Sequence, residues 1–389
     1  MIISLNLKYR ELSLKRKALV EAVKKNIQQV QSMKDKEVEL ELKEFKVTAS
    51  WYSMFSLLGL TDIHKVGARV TDFVEILQGV TWGGKGAEDV FVLSEKGIKE
   101  YRVESEITFK CIGGEDITRW HVEWKGRYLL FPYITNRDGW SCAFEVKGED
   151  ITKVISVKDS LDFEHPIDDE EREIIQQGLS EDEKINRIIN HRIALGLIKY
   201  PNAATYLAKH YQLLRGRIFE DKTLQQYKKM WYEYHRPRKP ILIRKPKIVG
   251  PRLTKIAKFA LDTEGFLPRD SVVAIVLKQK DSAILLNSLS RALNRKVSEE
   301  EALLYILAFL NSENFNRLLA EKLSKKRGGY PIVDEKLLQR LNIVIPTSAN
   351  KNIVEKLIES VKKAVYQGSS DQLDKEINDL VKELYQSQR

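Results

Sequence analysis

Cysteine is nearly absent from this 389-residue chain. Cys111 and Cys142 are the only two, they lack the spacing of a metal site, and a disulfide-stapled scaffold is excluded. No apolar run of about 20 residues and no signal peptide occurs, so the chain reads as a soluble, cytoplasmic protein. Histidine is scarce too. His64, His121, His165, His191, His210 and His235 form no Ser/His/Asp or His/Cys pattern and read as structural or surface residues. The Gly-Lys-Ser/Thr order of a phosphate-cradling loop is missing, and no internal repeat is present. Hydrophobic residues are not lacking: at 43% they suffice for a real core, and the length suggests roughly two or three domains.

Charge is abundant, and its placement says more than its sum. The 65 Lys+Arg against 55 Asp+Glu leave +10, an unremarkable excess. Residues 228–258, KKMWYEYHRPRKPILIRKPKIVGPRLTKIAK, concentrate it, with Glu233 as the single acid. Clustered Lys and Arg bind a polyanion by releasing counterions condensed on its phosphates, while Trp231, Tyr232, Tyr234 and His235 offer flat surfaces to sugars or bases. The bland alternative is a solvated basic face that docks on its own protein.

Along the chain, Leu12, Leu14, Leu19, Val20, Val23, Ile27, Val30 and Met33 recur at near-helical spacing within residues 8–46. This predicts a long amphipathic helix that leans on its own domain or docks on a partner subunit. DFVEILQGV (72–80) and VFVL (90–93) predict two strands joined by the glycine loop TWGGKGAED, with Lys85 at its tip. Gly79, Gly83, Gly84 and Gly86 there permit positive φ and close approach of the backbone; a plain hairpin turn is the other reading. ITRWHVEW and RYLLFPY read as half-buried strands, the latter ended by Pro132. An acidic stretch then precedes a helix opened by a Ser180–Glu183 capping box. Residues 202–234 carry helical periodicity, with Tyr206, Leu207, His210, Tyr211, Leu214 and Ile218 on one side and Lys209, Arg215 and Arg217 around them. KIAKFALDTEGFLPRDSVVAIVLK (255–278) reads as strand, turn, strand; residues 300–323 as an apolar helix broken near Asn311 and Ser312; LNIVIP (341–346) as a strand before two terminal helices.

Several of these runs, in order, resemble the C-terminal target-recognition domain of TaqI-like adenine-N6 DNA methyltransferases and of fused type IIG restriction-modification enzymes. VEILQGVTWGGKGAEDVFVL is similar to the family's opening strand, glycine loop and Phe-containing strand, here Gly79 to Phe91. IGGEDITRWHVEWKGRYLLFPY is similar to its Gly-x-Asp-Ile-x-Arg-aromatic segment and Phe-Pro-Tyr strand, here Gly114, Asp116, Ile117, Arg119, Trp120 and Phe131 to Tyr133. YLAKHYQLLRGR, MWYEYHRPR, KPKIVGPRL, KFALDTEGFLPRDS, ALLYILAFLNS, LNIVIP and KEINDLVKELY match the family's later helices and strands, so that the resemblance covers roughly residues 50–386. The departure matters as much: the Asn-Pro-Pro-aromatic (or Asp-Pro-Pro-aromatic) tetrapeptide that holds a flipped adenine is missing. Asp138 with Glu145, Val146 and Lys147 matches a metal-nuclease triad only in part, with cramped spacing. Alone, the chain is therefore expected to be non-catalytic and to bind no metal or cofactor.

The resemblance implies an α+β fold, in which a mixed or antiparallel β recognition domain carries flanking helices and a C-terminal helical part. It divides into an N-terminal helix (1–48), a DNA target-recognition domain (49–280) with an acidic, helical insertion near 144–200, and the helical part (281–389). Expected function is sequence-specific recognition of double-stranded DNA for a restriction-modification system. Lys228, Lys229, Arg236, Arg238, Lys239, Arg244, Lys245, Lys247 and Arg252 are assigned to phosphates, with Lys325, Lys326 and Arg327 as a second contact. Trp82, Lys85, Asn136 and Arg137 are assigned to base edges, since Arg and Lys suit guanine and Asn suits adenine; Trp231, Tyr232 and Arg119 complete the set. S-adenosylmethionine, and magnesium if the complex cleaves, belong to a methyltransferase or endonuclease partner. That partner is a separate chain or the preceding part of one longer enzyme; Met1 and the family-like end near Tyr385 make a separate subunit reasonable. Two rivals stay open: a self-contained DNA endonuclease, and a scaffold binding RNA or single strands.

Overall fold

The computed structural model describes residues 67–387 except 137–138, 143–144, 147–148, 151–167, 224–225, 227–228, 230 and 322–329; of residues 135–150 only the backbone is described. The expected helix over 8–46, the side chains of Asp138, Glu145 and Lys147, and Lys325, Lys326 and Arg327 lie outside the described residues.

The most apolar stretch of the chain, Val272–Leu277, is buried at all six positions. A run with no polar alternation must be covered on both faces. Val273, Ile275 and Leu277 enter a core shared with the C-terminal helices. Val272, Ala274 and Val276 enter a second core on the opposite face. Side chains alternate along a strand, so one strand serves both interiors. It is flanked antiparallel by Lys247–Pro251 and Val74–Gln78, and Ala260–Asp262 completes the first sheet beyond Lys247–Pro251.

A second sheet has the order Leu267–Pro268, Thr108–Ile112, Arg127–Leu130, Val92–Ser94, with the first pair parallel and the others antiparallel. The helices Glu181–Ala194, Pro201–Ala208 and Tyr211–Arg215 close its core with Ile185, Ile189, Leu207 and Leu214. Ser180 and Glu183 form the expected capping box. The acidic stretch also forms a helix, Asp169–Gln176, its three first-turn acids placed where the helix dipole favours them.

In the C-terminal part, Ala302 to Leu310 are all buried within helix Glu299–Leu310. The chain breaks at Asn311 and Ser312, as expected, before Glu313–Glu321. The break has a reason: the Asn311 amide pairs with the backbone of Phe259, its Oδ1 accepting at 2.8 Å and its Nδ2 donating at 2.9 Å. Helices Lys351–Tyr366 and Asp371–Gln386 complete this part. The fold is α+β, and no described helix is long and apolar enough to cross a membrane.

The expected strand, turn and strand of 255–278 form as Ala260–Asp262, a turn at Gly265 and Val272–Leu277. Three expectations are corrected. The strands flanking the glycine loop do not pair: Val74–Gln78 joins the first sheet, Val92–Ser94 the second, and a helical turn Glu88–Phe91 intervenes. ITRWHVEW makes only isolated bridges, since Trp120 at φ 77° interrupts the alternation. The helical run from residue 202 ends at Arg215 and gives way to a hairpin of Ile218–Phe219 and Lys222–Thr223, turning through left-handed Glu220 and Asp221. Ile218 is thereby exposed instead of buried.

Candidate nucleic-acid interface

One end of the first sheet gathers the loops that carry charge. Val273 sits opposite both Gln78 and Gly250, so the ends of Val74–Gln78 and Lys247–Pro251 and the start of Val272–Leu277 share one margin. Gly79 N donates to Val272 O at 3.0 Å and Arg252 N to Ser271 O at 2.7 Å. Beyond this margin Thr81 and Arg236 exchange backbone hydrogen bonds at 2.9 and 2.8 Å. Arg238, at φ 67°, donates from Nε to Gly79 O at 3.3 Å and from Nη2 to Gln78 Oε1 at 3.0 Å. Further on, Lys239 pairs with Glu75 at 2.8 Å, and Arg244 donates to Leu277 O at 3.4 Å. The basic segment therefore runs the length of the edge strand Val74–Gln78, from Arg236 at one end to Arg244 at the other.

Arg252, fourteen residues beyond Arg238, returns to the same margin, so that the charges of Arg236 and Arg252 both act on Arg238. Burial, then the charges of Arg236 and Arg252, hold the Arg238 guanidinium below its ordinary pKa. Among the described residues no carboxylate lies within ion-pair distance of Arg238 or Arg252; Arg236 has Glu220 at 3.3 Å. Arg269, at the same margin, is neutralised by Glu88 and Glu115. Glu220 and Asp270 offset only part of the charge of Arg236, Arg238 and Arg252, and the positive potential that is left is one an anion would relieve.

The glycine loop rises beside this cluster, and a residue to which the sequence assigned no role fastens it. Arg217, 3% exposed, donates to the carbonyl oxygens of Leu214 at 2.8 Å, Trp82 at 2.6 Å, Trp231 at 2.5 Å and Glu233 at 2.8 Å. Its guanidinium lies 5.2 Å from the Phe91 ring, and burial pushes its pKa down to about 10. Gly84 explains its own identity here: at φ +78° a Cβ would stand 2.6 Å from Arg217 Cγ. Lys85 is exposed at the tip.

The aromatic expectations need correcting. Tyr232 and Tyr234 are 1% and 0% exposed, and Trp82 is buried with its ring 6.4 Å from that of Tyr234. The Tyr234 hydroxyl donates to Leu130 O at 2.6 Å, and its N–H donates to the Tyr133 hydroxyl at 2.6 Å. These rings anchor the basic segment in the core and are not available for stacking on bases. Trp231 is half-buried against Tyr211, and His235 stacks on Phe219 at 3.8 Å. Burial, then Arg236, lowers the His235 pKa.

Two charged assignments are corrected as well. Lys247 is wholly buried, paired with Asp262 at 2.5 Å, and cannot reach a phosphate. Arg119 holds the last helix, donating to Asp374 at 2.8 Å and to Asn311 O at 2.5 Å, while Trp120 Nε1 donates to the same carboxylate at 2.7 Å. Lys229, Lys239 and Arg244 each have a carboxylate partner, at 3.9, 2.8 and 2.7 Å. Such surface pairs are worth about 0–1 kcal/mol, so a phosphate can displace them. Lys245 is exposed without a partner among the described residues. Asn136 ends the strand Tyr133–Asn136, described in its backbone alone; Arg137 and Lys228 lie wholly outside the described residues. Among the described residues no cluster of three His, Cys, Asp or Glu could hold a metal ion.

No family model matches the sequence, and no curated protein matches it. Among solved structures the chain is similar to that of the type IIL restriction-modification enzyme MmeI in complex with DNA, at 10% identity and a TM-score of 0.34 over 80% of this chain. It is similar also to the type IIG restriction endonuclease BpuSI, at 14% identity and a TM-score of 0.35 over 85% of this chain. The chain spans about a third of either, 33% and 34% of their lengths.

Proposed function

We propose that this chain is the sequence-specific double-stranded DNA recognition subunit or domain of a restriction-modification system, positioning an adenine-N6 methyltransferase or endonuclease partner on its target. The observation that carries this reading is the meeting of Arg236, Arg238 and Arg252 beside the glycine loop at one sheet margin. The division of labour rests on chemistry. Arg236, Arg238, Arg252, Lys239, Arg244 and Lys245 settle on phosphates along one strand and fix register, while Lys85 at the loop tip reaches a base edge. The resemblance of the sequence to target-recognition domains supports the same reading. Methyl transfer with S-adenosylmethionine, and cleavage with magnesium where it occurs, fall to the partner.

The test is competition among duplex DNA, single-stranded DNA and RNA at several salt concentrations, then selection from duplexes with a randomised centre. A recognition subunit enriches one sequence and keeps a sequence-dependent part of its affinity as salt rises. Equal grip on every duplex overturns the reading. Preference for RNA or single strands favours a scaffold, and magnesium-dependent nicking by the chain alone favours an endonuclease.

A further inference from the structure

The glycine loop and the basic segment, far apart in sequence, are joined by the Thr81–Arg236 backbone pair and, deeper in the loop, by one side chain. Arg217 lies just past the helix Tyr211–Arg215 and hydrogen-bonds carbonyls of three elements: Leu214 of that helix, Trp82 of the loop, and Trp231 and Glu233 of the basic segment. A lysine offers donors from one nitrogen, whereas the planar guanidinium fans five N–H groups to separate acceptors. No carboxylate pairs with Arg217 among the described residues; carbonyl dipoles, the Phe91 ring and the more distant charge of Glu233 stabilise the cation. The loop is pressed against it at Gly84, where any Cβ would overlap the arginine stem. An apolar side chain here would take a donor from each of four carbonyls, so the buried cation holds them at fixed places.

We infer that Arg217 is a positioning residue for base reading: it sets the loop carrying Lys85 at a fixed height against the arginines at 236 and 238, and contacts no DNA itself. This rests on the recognition reading above and assigns it a residue that touches neither phosphate nor base.

The test uses the full chain and the variants R217M, R217K and G84A. Each is titrated against the duplex selected by the native chain and against a scrambled duplex, across salt. R217M and G84A are expected to lose about tenfold in affinity for the selected duplex, the size of one lost base contact. Their affinity for the scrambled duplex and their salt slope are expected to stay near native, because the phosphate contacts remain. R217K, with the charge but one nitrogen, recovers part of the loss. Native discrimination by R217M or G84A overturns the inference, as does a proportional loss on both duplexes, the result of a merely structural role. Should R217M fail to fold by circular dichroism, G84A decides, since it displaces the loop and leaves the guanidinium in place. A native chain without discrimination overturns the recognition reading instead; discrimination by the native chain and the variants alike overturns only the role of Arg217.

Discussion

Arg217 Nη1 donates to the carbonyl oxygen of Trp82 at 2.6 Å, joining residues 135 positions apart. Removing the guanidinium leaves Trp82 O with the longer bond from His235 N, at 3.3 Å, and takes a donor from the carbonyls of Leu214, Trp231 and Glu233. R217M is expected to lose about 1–3 kcal/mol per orphaned group, offset in part by the smaller desolvation of methionine. Urea unfolding monitored by circular dichroism measures the difference.

The buried pair of Lys247 and Asp262 sets a second expectation. K247M alone strands a carboxylate in the interior and is expected to cost about 3–5 kcal/mol, whereas K247M combined with D262N, which keeps the oxygen that accepts from Glu264 N and Gly265 N, is expected to recover most of it. Neither change is expected to alter the salt slope of DNA binding. A slope that falls with K247M would return this lysine to the phosphate contacts.

Arg238 and Arg252 predict the opposite pattern. R238Q and R252Q are each expected to leave the melting temperature nearly unchanged and to lower the slope of log affinity on log salt by about 0.9 per lost phosphate contact. Titrations between about 50 and 200 mM salt read this directly.

His191 gives a pH dependence. Its ring nitrogens face Asp168 at 2.6 Å and Glu170 at 3.1 Å, and the hydrogen bond to Asp168 raises its pKa. A cation favoured by folding contributes fully below the unfolded value near 6.5, and that contribution is lost as pH rises through the higher folded value. Native chain and H191Q are therefore expected to differ most in melting temperature near about pH 5 and to converge toward about pH 8.

Much of this architecture is legible in the sequence, and the misses have physical causes. The Ser180 cap, the break at Asn311 and the all-apolar VVAIVL strand are local signals, decided within a few residues. Lys247 looks like its neighbours because what buries it is Asp262, opposite it on the next strand, and pairing is invisible in a linear run of basic residues. Trp231, Tyr232, Glu233 and Tyr234 alternate half-buried and buried, a period of two that the density of charge conceals. Arg217 gives no signal beyond its place after Gly216. Its carbonyl partners are backbone, which carries no sequence identity.

The strand Val272–Leu277 faces two interiors at once, its odd-numbered side chains toward the helices and its even-numbered ones toward the arginine-bearing half. It is a party wall, and neither room stands after it is taken down. The arginine-bearing half cannot be kept by discarding the helical end, for the cut would strip one side of the wall and melt the side that was meant to stay.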